Sequence, residues 1–171
     1  MKLTIRKAVP EDAAAFTDCA ISCWQSAYKG IVPDDFLCNM SATRAERVKK
    51  HTHALTNPGN CVYYCVMHEE KMVGLLIINK NRNDNTPDTG EIWAIYLVEE
   101  YRGKGFGKEL LDFQINELKG MGCKQIYLWV FEENHRARRF YEKHGFSFTG
   151  VTREVSKYGK PLIQVEYVQY S

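Results

Sequence analysis

Apolar residues recur along this chain with two periods, and the switches between them outline its elements. Leu3, Ile5 and Ala8-Val9 alternate as a first strand, which Pro10 breaks. After Asp12, placed to cap a helix, Ala13, Phe16, Ala20, Cys23, Trp24 and Ala27 return every three to four residues, the spacing of one buried helical face. Residues 28–36 predict a turn and a short second helix, and Ser41 or Thr43 opens a further helical stretch through Arg47 and Lys50 to about Leu55. Asn57-Pro58-Gly59-Asn60 reads as a turn. Cys61 to Met67 alternates as a strand, Glu69-Glu70-Lys71 reverses it, and Met72 to Ile78 runs back as its hairpin partner.

The stretch from Asn79 to Gly90 has almost nothing apolar and predicts a mobile loop. Glu91 to Val98 is the next strand. A helix from Phe106 to about Met121 follows, with Leu110, Leu111, Ile115 and Leu118 as its apolar stripe and Gly120 and Gly122 ending it. Ile126 to Val130 is nearly all apolar, as expected of a mid-sheet strand covered on both faces. Asn134 then caps a helix to about Lys143, which Gly145 closes in the left-handed conformation. Phe146 to Arg153 and Leu162 to Tyr167 are two closing strands. No repeat, low-complexity tract or linker interrupts the pattern, so 1–171 reads as a single α/β domain, long enough to bury roughly two thirds of its unfolded surface.

Charge changes this picture little: 23 basic against 21 acidic side chains leave a net charge of +2, which gives no electrostatic case for a nucleic-acid or membrane partner. The apolar runs fall well short of the roughly 18 residues a membrane helix needs, and Met1 to Arg6 reads as a strand rather than a signal peptide. Six cysteines include no Cys-x-x-Cys pair, so buried thiols in a reducing, cytoplasmic setting are expected. His51 and His53 lack a third ligand at metal-binding spacing and read as surface residues, so no metal is expected.

The candidate chemistry begins at Arg102-Gly103-Lys104-Gly105-Phe106-Gly107-Lys108, where a strand passes into a helix. Glycines at alternating positions strip side chains from the backbone where the first helical N–H groups have no partner, and the helix dipole and the flanking cations favour an anion there. The spacing fits neither the P-loop nor the Gly-x-Gly-x-x-Gly dinucleotide fingerprint. Arg-x-x-Gly-x-Gly remains. With this motif, and with Asn134 followed by Phe140-Tyr141-Glu142-Lys143-His144-Gly145-Phe146 on the next strand-to-helix unit, the chain resembles the GNAT superfamily of N-acetyltransferases over nearly its whole length. The resemblance implies a single-domain fold around a mixed, mostly antiparallel sheet of about six to seven strands flanked by helices.

It also implies acetyl-CoA as cosubstrate, with its diphosphate on the backbone from Arg102, Gly103, Lys104, Gly105, Phe106 and Gly107 to Lys108, and its pantetheine arm along Ile95, Tyr96 and Leu97 and beside Asn134. The reaction needs a neutral amine, yet an alkylammonium near pKa 10.4 is deprotonated in only about one molecule in two thousand at pH 7, a handicap of roughly 4–5 kcal/mol. By resemblance Glu91 is the candidate base; the other reading is an edge carboxylate that caps the strand or attracts a cation. Glu132 and Glu133 are weaker candidates, and Trp129 stands where some peptide-acetylating relatives carry a glutamate. Tyr141 matches the family's proton donor to the departing sulfur, and the backbone N–H of Leu97 its donor to the reacting carbonyl; a core tyrosine beside Phe140 is the alternative for Tyr141.

Trp24, Tyr28, Asp34, Asp35 and Tyr158 fall where the fold walls its acceptor cleft, and with Glu91 they would suit a small cationic amine of polyamine or aminoglycoside type. One of Arg136, Arg138, Arg139 and Lys143 could reach the adenosine 3′-phosphate, a solvated cationic face being the other reading. Three functions stay open: a small-amine acetyltransferase, an acetyltransferase of protein N-termini or lysines, and a non-catalytic coenzyme A-binding module. Members of the family often pair as homodimers.

Overall fold

The computed structural model of the chain describes residues 2–80, 86 and 88–170. In chain order these form β1 (Thr4–Lys7), α1 (Ala13–Ala27), α2 (Asp34–Ala42), α3 (Arg44–Thr56), β2 (Cys61–His68), β3 (Lys71–Lys80), β4 (Thr89–Leu97), α4 (Phe106–Gly120), β5 (Gln125–Phe131), α5 (His135–Lys143), β6 (Ser147–Val155) and β7 (Leu162–Tyr170). The strands make one 7-stranded sheet in the order β1-β2-β3-β4-β5-β7-β6, antiparallel throughout except where β4 meets β5. Of the loop expected between Asn79 and Gly90, the structure assigns Asn79 and Lys80 to β3 and Thr89 and Gly90 to β4; residues 81–85 and 87 lie outside the described residues.

Two apolar layers sandwich the sheet. The α4 stripe Leu110, Leu111, Ile115 and Leu118 packs with Ile78, Ile92, Ile126, Leu128 and Val130 from the strands, and with Tyr141 of α5 and Phe146. On the other face Phe16, Cys19 and Cys23 of α1 meet Cys65, Leu75 and Ala94. A third cluster, Ile21, Val32, Leu37, Met40, Phe131 and Leu162, joins α1 and α2 to the ends of β5 and β7. Among the described residues no helix is long and apolar enough to cross a membrane.

Three local expectations are corrected. Asp12 makes no cap bond to α1; its carboxylate takes Arg6 through two hydrogen bonds of 2.7 Å and the Val9 N–H at 2.8 Å, because a charged guanidinium offering two N–H donors competes better for it than a helical amide. His51 is not a surface residue: Phe16 packs against its ring and its Nδ1 lies 2.7 Å from Thr17 Oγ1. Thr17 already donates its hydroxyl proton to the Ala13 carbonyl, so His51 must donate, and burial lowers its pKa. The cysteines form no disulfides, but only Cys19, Cys23, Cys65 and Cys123 are buried, while Cys38 is exposed on α2.

Candidate active site

The loop between β4 and α4 has the geometry its glycines anticipate. Gly103 and Gly105 sit at φ 73° and 88°, in left-handed backbone that costs an L-residue about 1–2 kcal/mol, and a Cβ on either would meet nothing within 4 Å. Gly105 is the N-cap of α4 and no side chain caps that end; the Lys108 amide turns back to the Gly105 carbonyl at 3.3 Å, and the amides before it have no side-chain cap. Gly107 is close-packed instead: a Cβ there would lie 3.3 Å from the Phe140 ring, which would have to shift by a few tenths of an ångström where α5 packs on the start of α4. A side-chain-free, positively polarised concavity of this kind fits a diphosphate.

The cations around it divide. Arg102 is turned away from the concavity: its Nε donates to the Leu97 carbonyl at 2.8 Å, and its Nη2 to Ser26 Oγ at 2.6 Å and the Cys23 carbonyl at 3.4 Å. It therefore ties the loop to β4 and α1, contributing backbone rather than charge to the anion site. Lys108 pairs with Asp112, and Lys104 lies over the Tyr101 ring at 5.7 Å. On α5, Arg138 is committed to the Tyr167 hydroxyl and the Glu132 carbonyl, which leaves Arg136, Arg139 and Lys143 as the cations of that helix.

Beyond the loop the sheet opens. β4 and β5 are in register only at Thr89–Gln125, Gly90–Ile126 and Glu91–Tyr127, although β4 continues to Leu97 and β5 to Phe131. Just past the last pair, β4 bulges: Ile77 of β3 faces Ala94 and Ile78 faces Ile92, so Trp93 is the extra residue and stands 50% exposed. A bulge bends its strand and raises its twist. The result is a seam closed at Glu91 and open along Ile95, Tyr96 and Leu97. Glu91 is 1% exposed at the closed end.

Tyr141, from α5, is buried, and among the described residues no hydrogen bond engages its hydroxyl. Burial first, and then the nearby Tyr28, push its pKa well up. Asn134 caps α5 by accepting from the Ala137 N–H at 3.2 Å, which uses its Oδ1 and leaves the amide nitrogen available. Across the seam Tyr28 and Tyr96 join hydroxyls at 2.9 Å. Burial raises both, Tyr28 to about 12 despite its hydrogen bond with Tyr96, so all three tyrosines stay protonated at neutral pH.

Around that pair the rings of Trp24, Phe36, Phe131 and Tyr158 form a continuous aromatic wall, with centroid separations of 4.7 Å for Trp24–Tyr28, 5.2 Å for Tyr28–Phe131 and 5.1 Å for Phe36–Tyr158. Phe131 also lines a cleft of about 130 Å³ with Glu132, Glu133 and Lys160. The structure thus brings Trp24, Tyr28 and Tyr158 together with Tyr96, whose side chain serves this wall. Asp34 and Asp35 are exposed on the first turn of α2. Phe36 and Phe131 are additions to the site; the strand signal of β5 ended one residue short of Phe131. Among the described residues no three of His, Cys, Asp and Glu cluster as a metal site.

Residues 24–146 match the profile of the Acetyltransferase (GNAT) family. The chain is 30% identical over 119 residues to the spermine/spermidine N(1)-acetyltransferase of Bacillus subtilis (strain 168), covering 66% of this chain and 78% of that one. It is 29% identical, with the same coverage, to a probable spermine N(1)-acetyltransferase of Bacillus subtilis subsp. natto. The fold superposes on the crystal structure of the PaiA N-acetyltransferase of Thermoplasma acidophilum in complex with coenzyme A, with a TM-score of 0.75, 21% identity and both chains covered in full.

Proposed function

The chain belongs to the GNAT acetyltransferase family and is an acetyl-CoA-dependent N-acetyltransferase, and from that premise we propose that it acetylates a primary amine of a small cationic molecule of the polyamine class, by direct transfer in a ternary complex. The observation that carries this reading is the aromatic wall Trp24–Tyr28–Phe36–Phe131–Tyr158, which meets Tyr96 at the open end of the seam and continues into a cleft bearing Glu132 and Glu133. Aromatic faces take up the methylenes and the charge of an alkylammonium chain, and carboxylates hold its far ammonium. The name of the Bacillus subtilis relative points the same way.

Acetyl-CoA supplies the acetyl group as a thioester. The amides from Gly103 to Lys108 bind its diphosphate, and Asn134 donates through its side-chain amide to the arm along β4. The Leu97 N–H donates to the reacting carbonyl oxygen as negative charge grows there. Glu91, six residues along β4 from Leu97 and buried at the closed end of the seam, accepts the ammonium proton through a chain of waters, offsetting the handicap of roughly 4–5 kcal/mol that protonation imposes. Tyr141 enters the reaction as a hydrogen-bond donor. Because burial holds it protonated, it stabilises the departing sulfur.

Release of coenzyme A, measured against spermidine, spermine, an aminoglycoside and N-terminal and lysine peptides, tests the reading. Turnover on the polyamines is expected, with kcat reduced about 10²–10⁴-fold in Tyr141→Phe and acetyl-CoA affinity unchanged. Turnover on peptides alone would overturn the acceptor assignment, and an unimpaired Tyr141→Phe enzyme would overturn the role of Tyr141.

A further inference from the structure

One polar side chain in the middle of α4 has no place in the chemistry above. Gln114 is fully buried among leucines and isoleucines of the larger core cluster. Its Nε2 donates to the Ala94 carbonyl at 2.9 Å and to the Ile77 carbonyl at 3.3 Å, while its Oε1 is buried with no partner. Both acceptors belong to the Ile77–Ala94 pair, the first beyond the register break at Trp93, where β3 and β4 lose their regular ladder. The reverse orientation of the amide would set an oxygen against two carbonyls, so the donors are what the position requires. An apolar residue would fill the same space without stranding an oxygen, and packing alone does not account for a glutamine there.

We propose that Gln114 is a positioning residue: its amide, clamped on the Ala94 and Ile77 carbonyls, holds the β4 bulge that turns this strand away from β5 and keeps the seam open. The bulge lies immediately beyond Glu91–Tyr127, the last pair between the two strands, so the strand is redirected where the seam begins. The clamp is carried by the same helix whose first turn forms the anion concavity. α4 therefore sets the spacing between the diphosphate loop and the β4 edge, as one rigid element gripping both. The inference rests on the reading that the arm of coenzyme A lies along β4.

Gln114→Met removes both donors at similar volume, and Gln114→Asn keeps the amide but withdraws it by one methylene. Two measurements are made on each: amide hydrogen exchange along β4, and affinity for coenzyme A against affinity for its 3′-phosphorylated adenosine diphosphate half, which reaches the loop alone. Expected in either variant that folds are at least tenfold faster exchange at Ala94–Leu97 with β2 and β7 unchanged, about tenfold weaker coenzyme A binding, and less than twofold change for the half-molecule. Unchanged exchange at β4, with both affinities retained or both lowered equally, would reduce Gln114 to a space filler and overturn the proposal. Should the wild-type protein bind coenzyme A no tighter than its half, the reading of the arm along β4 fails, and the exchange data still decide the clamp.

Discussion

Substituting alanine for Gly74 tests how closely β3 and β4 are fitted beside the seam. Gly74 pairs with Leu97, and a Cβ there would stand 2.5 Å from the Tyr96 carbonyl oxygen, 3.0 Å from Leu97 Cδ2 and 3.3 Å from Val66 Cβ. The Leu97 methyl can rotate aside, but the Tyr96 oxygen is backbone and moves only if β4 moves. Overpacking of this kind costs about 1–3 kcal/mol. In a domain of this size each kcal/mol lowers the melting temperature by about 2–4 °C, so a drop of roughly 2–12 °C is expected. The displacement falls on Tyr96 and on the Leu97 N–H, so acetyl-CoA turnover should decline more than stability alone explains at 25 °C, where the variant remains folded. Thermal melts and initial rates on one preparation decide the matter. A variant as stable and as active as the parent would show that β4 yields freely at Tyr96 and that the close approach at Gly74 constrains neither strand.

Gly105→Ala places an L-residue at φ 88° without a clash, and should cost about 1–2 kcal/mol; Gly105→Asn should cost less, because asparagine tolerates left-handed backbone. Melting curves in the order glycine, asparagine, alanine are expected, with equal stability of all three as the contrary result. Asp12→Asn removes the partner of Arg6. Hydrogen bonding from Arg6 chiefly, assisted by the Val9 N–H, holds the Asp12 carboxyl at about 2 against the pull of burial, below its unfolded value near 3.9. The pair therefore stabilises the fold fully above about pH 4, and its contribution is lost as pH falls towards 2. The difference in melting temperature between parent and Asp12→Asn should shrink across that window; a constant difference would refute the assignment.

Legibility in the sequence follows how local each signal is. The backbone of the turn into α4 is legible because φ, helix start and missing side chains are all properties of a few consecutive residues, and β5 because burial on both faces leaves an apolar run. The direction of Arg102 was not readable: its partners Cys23 and Ser26 lie on α1, far away in the chain, and nothing around residue 102 announces them. Asp12 looks like a helix cap from its neighbours, and only the turn of the chain between β1 and α1 brings Arg6 within 2.7 Å. The aromatic wall draws on α1, α2, β4, β5 and the turn before β7, so resemblance places Trp24, Tyr28 and Tyr158 at the acceptor cleft while Phe36 and Phe131, which join them only in space, read as core residues. Gln114 reads as one polar position on an amphipathic helix, since the carbonyls it serves exist only where β3 and β4 fall out of step.

Joined to β5 by three residue pairs, β4 leaves the sheet as two panels, β1 to β4 and β5 to β6, tied at one end of the seam and bridged by the core that α4 shares with both. A molecule lodged in the gap acts as mortar, and at a hundredfold excess over its dissociation constant it adds about 2.7 kcal/mol to the folded state. The survival of this protein against proteases would then track the supply of its acetyl donor, so that a starved cell would hold less of the enzyme as well as less for it to use.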